Sequence, residues 1–278
     1  MLSISFLSGS VWNVFTKAHN SSSLSLVGQA IEKGKYKNAL KLIQDGAVFP
    51  IIESDGSSNL RKSVSLCLGR KVNVDLINAL LSRSDVKTIN YCEKIYSPAL
   101  NQASYAGYAE VVNLLVAKGA DVNAPGQYEL TPLMHAVMGY FPSKKKKRIQ
   151  KIFEGQLETA KVLIFQGANL HAKYDEGLTP LEIHVEEEIR RNYYSINQKL
   201  ISYLIEYGAD PSRIVTQPSR TLTPSQEILK KITRAVQKGL IRRKLRVDEI
   251  TSALDDKLPI PGLIPLMLTF EAERVSTM

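Results

Sequence analysis

Cysteine is scarce in this chain of 278 residues, which contains only Cys67 and Cys92. The two lie far apart, and neither belongs to a CxxC pair or to a Cys/His pattern with metal-ligand spacing. A disulfide framework and a structural zinc site are therefore not expected, and a reducing compartment fits this cysteine usage.

The motifs of common catalytic sites are also missing. The sequence has no GxSxG, no HExxH, no GxxxxGKS/T and no GxGxxG, the patterns of hydrolase, zinc-protease and nucleotide sites. No ligand spacing relates the four histidines, which are His19, His135, His171 and His184. We expect a non-enzymatic protein with no metal, cofactor or small-molecule substrate, in which His135 and His184 are core or groove residues.

Long apolar runs that could span a membrane are missing as well. Apolar residues make up 44% of the chain and charged residues 23%, as in an ordinary soluble protein. The apolar C-terminal tail holds three prolines, which exclude a spanning helix. The N-terminus lacks a basic leader and a cleavage pattern, so no signal peptide is predicted. Its apolar residues share one helical face, which favours a capping helix at residues 1–22 over a membrane-surface anchor.

One sequence pattern returns three times between Pro98 and Asp210. Each copy has a Thr-Pro-Leu-like start, an apolar helical run and a Gly-Ala-Asp/Asn stop. Thr131 and Thr179 stand at helix N-cap positions, and each is followed by a proline at the first helical position. The helices end at glycines, which adopt a left-handed conformation without a Cβ clash: Gly119, Gly167 and Gly208. One unit is therefore two antiparallel helices and a turn.

These units resemble the ankyrin repeat. The run from Ala168 to Leu178 follows the family's loop pattern before Thr179, and 120–124 does the same before Thr131. Glu129 stands where the family has glycine, which predicts a distorted hairpin. Met134 and Glu182 stand where the family usually has a helix-capping histidine. The resemblance implies an all-α ankyrin-repeat solenoid of helix-turn-helix units with N- and C-terminal helical caps.

Weaker units and two insertions complete the predicted repeat domain, residues 23–211. A degenerate first repeat covers Ser25 to Gly46, and a weaker second one covers Ser63 to Asn90, which makes about five repeats. The insertions lie at 142–155 and 186–195. We expect the second to lengthen an inner helix, to contain i,i+4 Glu-Arg pairs and to expose its glutamates.

A basic helical region is predicted for residues 212–278. One helix opens near Thr223 and a second follows after Gly239, and together they would cap the last repeat. An unrecognised catalytic fold in this region is the competing interpretation. Residues 212–278 contain neither histidine nor cysteine, which argues against a catalytic fold.

Partner contact in ankyrin proteins usually runs along the concave surface formed by hairpin tips and inner helices. The resemblance therefore implies a protein partner and a set of contact residues. Mapped onto this sequence, these residues are Tyr105, Tyr108, Gln127, Tyr128, Met138, Tyr140, Lys173, Tyr174, Asp175 and Glu176. Exposed tyrosines would favour such a surface, since they are enriched at binding hot spots, although a tip tyrosine can instead pack on its neighbouring hairpin.

Positive charge is concentrated in two places. The stretch Lys144 to Lys151 carries six positive charges and no negative one, and Arg220 to Glu249 carries nine against three. The patch residues are Lys144, Lys145, Lys146, Lys147, Arg148, Arg242, Arg243 and Lys244. The first cluster is predicted to be a solvated helix turn. A nuclear-import signal read by an import receptor, and an electrostatic adaptor for anionic lipid or nucleic acid, are the alternatives.

A divergent repeat array with long insertions and few cysteines is similar to the ankyrin effectors that intracellular bacteria inject into eukaryotic hosts. The resemblance implies a cytoplasmic protein or one that is secreted into a host cell. The host nucleus is a further location that it implies.

Overall fold

The computed structural model describes residues 24–54, 58–67, 72–91, 97–141, 146–191, 196–216 and 225–255, without the side chains of 146–148 and 251–255. Regular structure in these residues consists of thirteen α-helices, one 3₁₀ turn and no strand longer than an isolated bridge. The helices are α1 (Leu26–Glu32), α2 (Tyr36–Gln44), α3 (Asn59–Ser65), α4 (Val74–Leu81), α5 (Val86–Ile89), α6 (Ala99–Ala106), α7 (Ala109–Ala117), α8 (Pro132–Met138), α9 (Lys146–Phe165), α10 (Pro180–Arg191), α11 (Gln198–Glu206), α12 (Ser212–Thr216) and α13 (Gln226–Asp255).

Five helix pairs follow one another, each with an inner and an outer helix: α1–α2, α3–α4, α6–α7, α8–α9 and α10–α11. One continuous apolar core runs through all of them, from Val27 in the first pair to Val236 on α13. Each pair is too small to bury its own apolar faces and buries them on its neighbours. The prediction of an all-α repeat solenoid is confirmed.

The outer helices of four pairs end in the same way. Their stop glycines all have positive φ, between 86° and 118°: Gly46, Gly119, Gly167 and Gly208. The N–H of the following alanine donates to a carbonyl five residues back, as from Ala120 to Leu115 at 3.0 Å and from Ala47 to Leu42 at 2.9 Å. The weakly similar first unit therefore uses the same C-terminal cap as the clear ones.

Thr131 and Thr179 cap the inner helices that begin directly after them. The Thr131 hydroxyl accepts from the N–H of Met134 at 3.3 Å. In the next unit the Thr179 N–H donates to the Glu182 carboxylate at 2.8 Å, and the Thr179 hydroxyl accepts from the Glu182 N–H at 3.5 Å. Glu182 thus closes a capping box at the position where the family has histidine.

The second pair begins earlier than predicted. Helix α3 starts at Asn59 rather than Ser63, because the Ser58 hydroxyl caps it by accepting from the Arg61 N–H. Its outer helix α4 has no glycine stop and passes through Ser82 into the short helix α5, which Asp85 opens with a capping box.

Both insertions lengthen helices. The first contributes to α9, which has 20 residues, and buries Ile149 and Phe153. The second extends the inner helix α10 to 12 residues, as predicted.

Helix α13 corrects one prediction: it runs unbroken through Gly239 for 30 residues. Gly239 lies against α11, where an added Cβ would come within 2.8 Å of the Ser202 carbonyl oxygen and of the Ile205 Cβ. The Ser202 hydroxyl donates to the Ala235 carbonyl at 2.9 Å across the same contact. This glycine therefore allows two helices to approach closely, and α13 covers the outer helix of the last pair.

The predicted N-terminal capping helix, 1–22, and the tail beyond residue 255 lie outside the described residues. Among the helices that are described, none is both long enough and apolar enough to cross a membrane.

Candidate partner-binding surface

The first predicted hairpin tip is a strained turn. It is a single 3₁₀ turn, Gln127–Glu129, in which Tyr128 has φ 59° and Glu129 has φ 58°. Side chains larger than glycine rarely occupy this region because their Cβ crowds the backbone. The following hairpin has Gly177 at φ 74°. The distortion predicted from Glu129 is present.

The two tips differ in what they expose. At the first tip Gln127 and Glu129 are exposed, and 56% of the Tyr128 side chain is accessible. At the second tip the exposed residues are Lys173, Asp175 and Glu176. We call these exposed residues, Gln127–Glu129 together with Lys173, Asp175 and Glu176, the tip surface.

Tyr174 does not present its ring to solvent, which corrects the expectation of an exposed tyrosine at the second tip. It is 6% exposed and belongs to the apolar core. Its hydroxyl donates to the Glu176 carboxylate at 2.7 Å. The ring packs inward and helps to hold the hairpin, which is the alternative that the sequence left open.

The inner-helix ends carry a partly buried aromatic group. The Tyr105 ring meets His135 edge-on at 6.3 Å between centroids and Tyr140 at 5.9 Å. Burial raises the pKa of Tyr105 to about 12, so this hydroxyl is neutral at physiological pH. Tyr108 is also partly buried. Met138, predicted as a contact residue, is 5% exposed and lies in the core.

The Tyr108 side chain makes a hydrogen bond within the protein. Its hydroxyl donates to the backbone carbonyl of Cys67 in the preceding helix pair. The side chain therefore connects the second and third units. This contact could not be anticipated from spacing, because the two residues are 41 positions apart.

A buried polar cluster connects the second insertion to the end of α8, and only its Glu187–Arg191 spacing was visible in the sequence. Arg191 donates to the Met138 carbonyl at 2.8 Å and pairs with Glu187 at 2.9 Å. Its guanidinium also stacks over the Phe141 ring at 4.0 Å from the centroid. Glu187 and Glu188 are 5% and 1% exposed, which corrects the expectation that these glutamates lie in an exposed insertion.

Two titratable groups of α10 are fully enclosed. Burial raises the pKa of Glu188 to about 7, and it lowers the pKa of His184 to about 4. The His184 ring nitrogen Nδ1 lies 2.9 Å from the Val137 carbonyl oxygen, to which it donates. Arg191 and the Asn197 backbone oppose the rise in the pKa of Glu188, and burial outweighs both.

His135 is a packed residue as well. Burial lowers its pKa to about 4, and its Nδ1 lies 3.1 Å from the Thr131 carbonyl oxygen. Among the described residues, no three His, Cys, Asp or Glu side chains come together in an arrangement that could hold a metal ion.

The basic clusters fall on two different elements. Lys144 and Lys145 lie outside the described residues, and 146–148 open α9. Arg242, Arg243 and Lys244 lie on α13, where Arg242 approaches Glu206 of α11 at 3.8 Å. Because α13 packs on an outer helix, this second cluster lies on the outer-helix side, whereas the tip surface belongs to the inner-helix side.

Comparisons with known proteins agree with this architecture. The family model for the ankyrin repeat matches residues 98–127, which are the third helix pair and the loop that leads to the first tip. The chain is 28% identical over 199 residues to Ankyrin repeat and SOCS box protein 3 of Bos taurus, and 29% identical over 197 residues to the Homo sapiens protein of that name. Each match covers 60% of this chain, and the chain spans about a third of the length of these relatives, 34% and 35%.

The helix pairs, their common glycine stops and the threonine caps are the structural counterpart of these matches. The chain contains an ankyrin repeat at residues 98–127 and is similar to ankyrin repeat proteins over 60% of its length.

Proposed function

We propose that this protein is a non-enzymatic scaffold that binds a partner protein through the tip surface and the adjoining inner helices. Ankyrin repeats are protein-protein interaction modules. The proposal assigns the contact to one side of the array, with Tyr128 as its central residue.

The observation that carries this proposal is the conformation of Tyr128. Two consecutive non-glycine residues at positive φ hold a large aromatic ring in solvent at the first tip. Strain of this kind costs about 1–3 kcal/mol per residue and is concentrated at functional sites. An exposed tyrosine also supplies a large contact area at a low cost in side-chain entropy.

The second tip supplies charge of both signs. Lys173, Asp175 and Glu176 are all exposed there, so it suits the polar rim of an interface around an aromatic centre. The partly buried Tyr105 and Tyr140 extend the surface along the inner helices. Tyr174 supports the hairpin instead of contacting the partner.

The experiment is capture of proteins from eukaryotic cell lysate on the full chain, at low and high salt. We compare wild type, Tyr128→Ala with Asp175→Ala, and the control Phe165→Ala, which removes a ring that is 86% exposed on an outer helix. We expect a discrete protein that persists at high salt, falls about tenfold with the tip variant and is unchanged by the control.

Equal capture by the tip variant and wild type would overturn the proposal. An alanine block from Lys144 to Arg148 is included because it tests the electrostatic adaptor. If capture were lost at high salt and with this block alone, binding would depend on charge instead of the tips. An import receptor, anionic lipid and the setting of an effector secreted into a host cell stay predictions from the sequence.

A further inference from the structure

A groove opens on the outer-helix side of the last two pairs, between α9, α11 and α13. It has a volume of about 480 Å³. Its floor is apolar and is formed by Leu157, Tyr203 and Ala235. The groove lies apart from the tip surface and contains none of its residues.

Cations surround this floor. Five of the residues that line the groove are basic and none is acidic: Lys161, Lys199, Arg234, Lys238 and Arg242. Lys161 pairs with Glu158 at 2.8 Å, and Arg242 approaches Glu206 at 3.8 Å. The other three have no carboxylate partner among the described residues. Cations from three helices therefore concentrate positive potential in one concave place.

The walls of the groove are held in place by buried contacts. The hydrogen bond from Ser202 to Ala235 and the close approach at Gly239 fix α13 on α11. Apolar α13 residues, among them Ile232 and Val236, are buried in the core. The helix positions that carry the cations of α11 and α13 are therefore fixed relative to each other, so a ligand has only the side chains to order.

We propose that this groove binds an acidic peptide segment that also carries an apolar side chain. Carboxylates would pair with the unpartnered cations Lys199, Arg234 and Lys238, and the apolar side chain would cover the floor. A compact polyphosphate would meet the same cations but would leave the apolar floor uncovered, so the mixed chemistry of the groove favours the peptide. This second site is independent of the tip surface.

The test is fluorescence anisotropy with the full chain and a fluorescein-labelled peptide that is rich in Glu and contains two Leu. The groove variant is Lys199→Glu with Lys238→Glu, and the control is Lys230→Glu with Lys244→Glu, which changes the net charge equally at exposed lysines outside the groove. We expect the groove variant to weaken binding about tenfold or more and the control to weaken it less than about threefold.

Two further probes identify the chemistry. Replacing Glu by Gln in the peptide should abolish binding, and replacing Leu by Gly should weaken it several-fold. Tyr128→Ala should leave peptide binding unchanged, so failure at one surface is distinguishable from failure at the other.

Four results would overturn the proposal. They are no binding of the peptide, equal loss in the groove and control variants, no loss on replacing Leu, and binding of inositol hexakisphosphate or phosphatidylserine vesicles at the groove where the peptide does not bind.

Discussion

At the scale of single residues, the first hairpin tip shows a conflict between sequence and backbone. Glu129 adopts φ 58° beside Tyr128 at φ 59°, whereas the next hairpin uses Gly177 at φ 74° for the corresponding turn. A left-handed conformation costs an ordinary residue about 1–2 kcal/mol. The first tip therefore stores strain that a glycine would release.

Glu129→Gly should raise the free energy of unfolding by about 0.5–1 kcal/mol, because relief of strain exceeds the entropy that glycine adds to the unfolded chain. Urea unfolding monitored by circular dichroism measures this. Gln127→Gly, two residues earlier and outside the positive-φ region, is the control and should not stabilise. A fall in stability for Glu129→Gly would contradict the strained turn.

His184 and Glu188 show how position in the repeat determines protonation. Counting five residues from the N-caps Pro98 and Thr131 leads to Ala103 and Ala136, each with no exposure. The same count from Thr179 leads to His184, which therefore enters the core at a position that holds alanine elsewhere. Glu188 lies one helical turn further on the same face.

Replacing Glu188 by Gln should change how stability depends on pH. The folded pKa, about 7, lies above the ordinary 4.5. The native state thus binds the extra proton, and the stabilisation is complete below pH 4.5 and is lost as pH rises through 7. Relative to wild type, Glu188→Gln should gain up to about 3 kcal/mol between pH 4.5 and pH 8.

Urea unfolding of both chains at several pH values measures this difference. His184 titrates in both chains and Arg191 and Glu187 face the site in both, so their contributions largely cancel. A difference in stability that is independent of pH would show that Glu188 is ionised in the folded protein.

At the scale of elements, local chemistry predicted most of the helix ends. Threonine caps and glycine stops act within a few residues, so the third to fifth units were predictable in outline. Gly239 was not, because its role depends on Ser202 and Ile205, more than thirty positions earlier. The burial of Tyr174 and Glu188 was missed for the same reason, since tertiary neighbours decide it. The exposure of Tyr128 was predictable because it depends on the local turn, and its role in binding stays a prediction.

Gly239→Ala should destabilise the protein by about 1 kcal/mol or more, although alanine is the better helix former. The new methyl group would lie 2.8 Å from a backbone oxygen of α11, and overpacking of this kind costs about 1–3 kcal/mol.

Thermal unfolding and limited proteolysis of α13 measure the effect. Gln237→Ala, exposed on the same helix, is the control and should be neutral or slightly stabilising. If Gly239→Ala behaved like this control, α13 would not pack closely on α11.

At the scale of the whole molecule, asparagine side chains link successive units. Asn90 donates to the Gly119 carbonyl at 3.0 Å and accepts from the Asp121 N–H at 2.8 Å. Asn123 repeats this one unit later, with Gly167 at 3.1 Å and the Asn169 N–H at 2.8 Å. Stability in stacked repeats depends on such contacts between neighbours.

Asn123→Ala should therefore lower the free energy of unfolding by about 1 kcal/mol, because two exposed hydrogen bonds between units are lost. The midpoint of urea unfolding measures this. Asn113→Ala, exposed on α7, is the control and should be neutral or stabilising. Equal effects at both positions would contradict a role for Asn123 in coupling the units.

The central claim is that the tip surface of the assembled array holds the partner protein, and site-specific crosslinking tests it most directly. A photoreactive phenylalanine replaces Tyr128 in one chain and Phe165 in another, and each is irradiated in cell lysate. We predict a discrete adduct at 128 that excess unlabelled wild type suppresses and excess Tyr128→Ala chain does not, with no such adduct at 165. The same adduct at both positions, or equal suppression by the two competitors, would contradict the account.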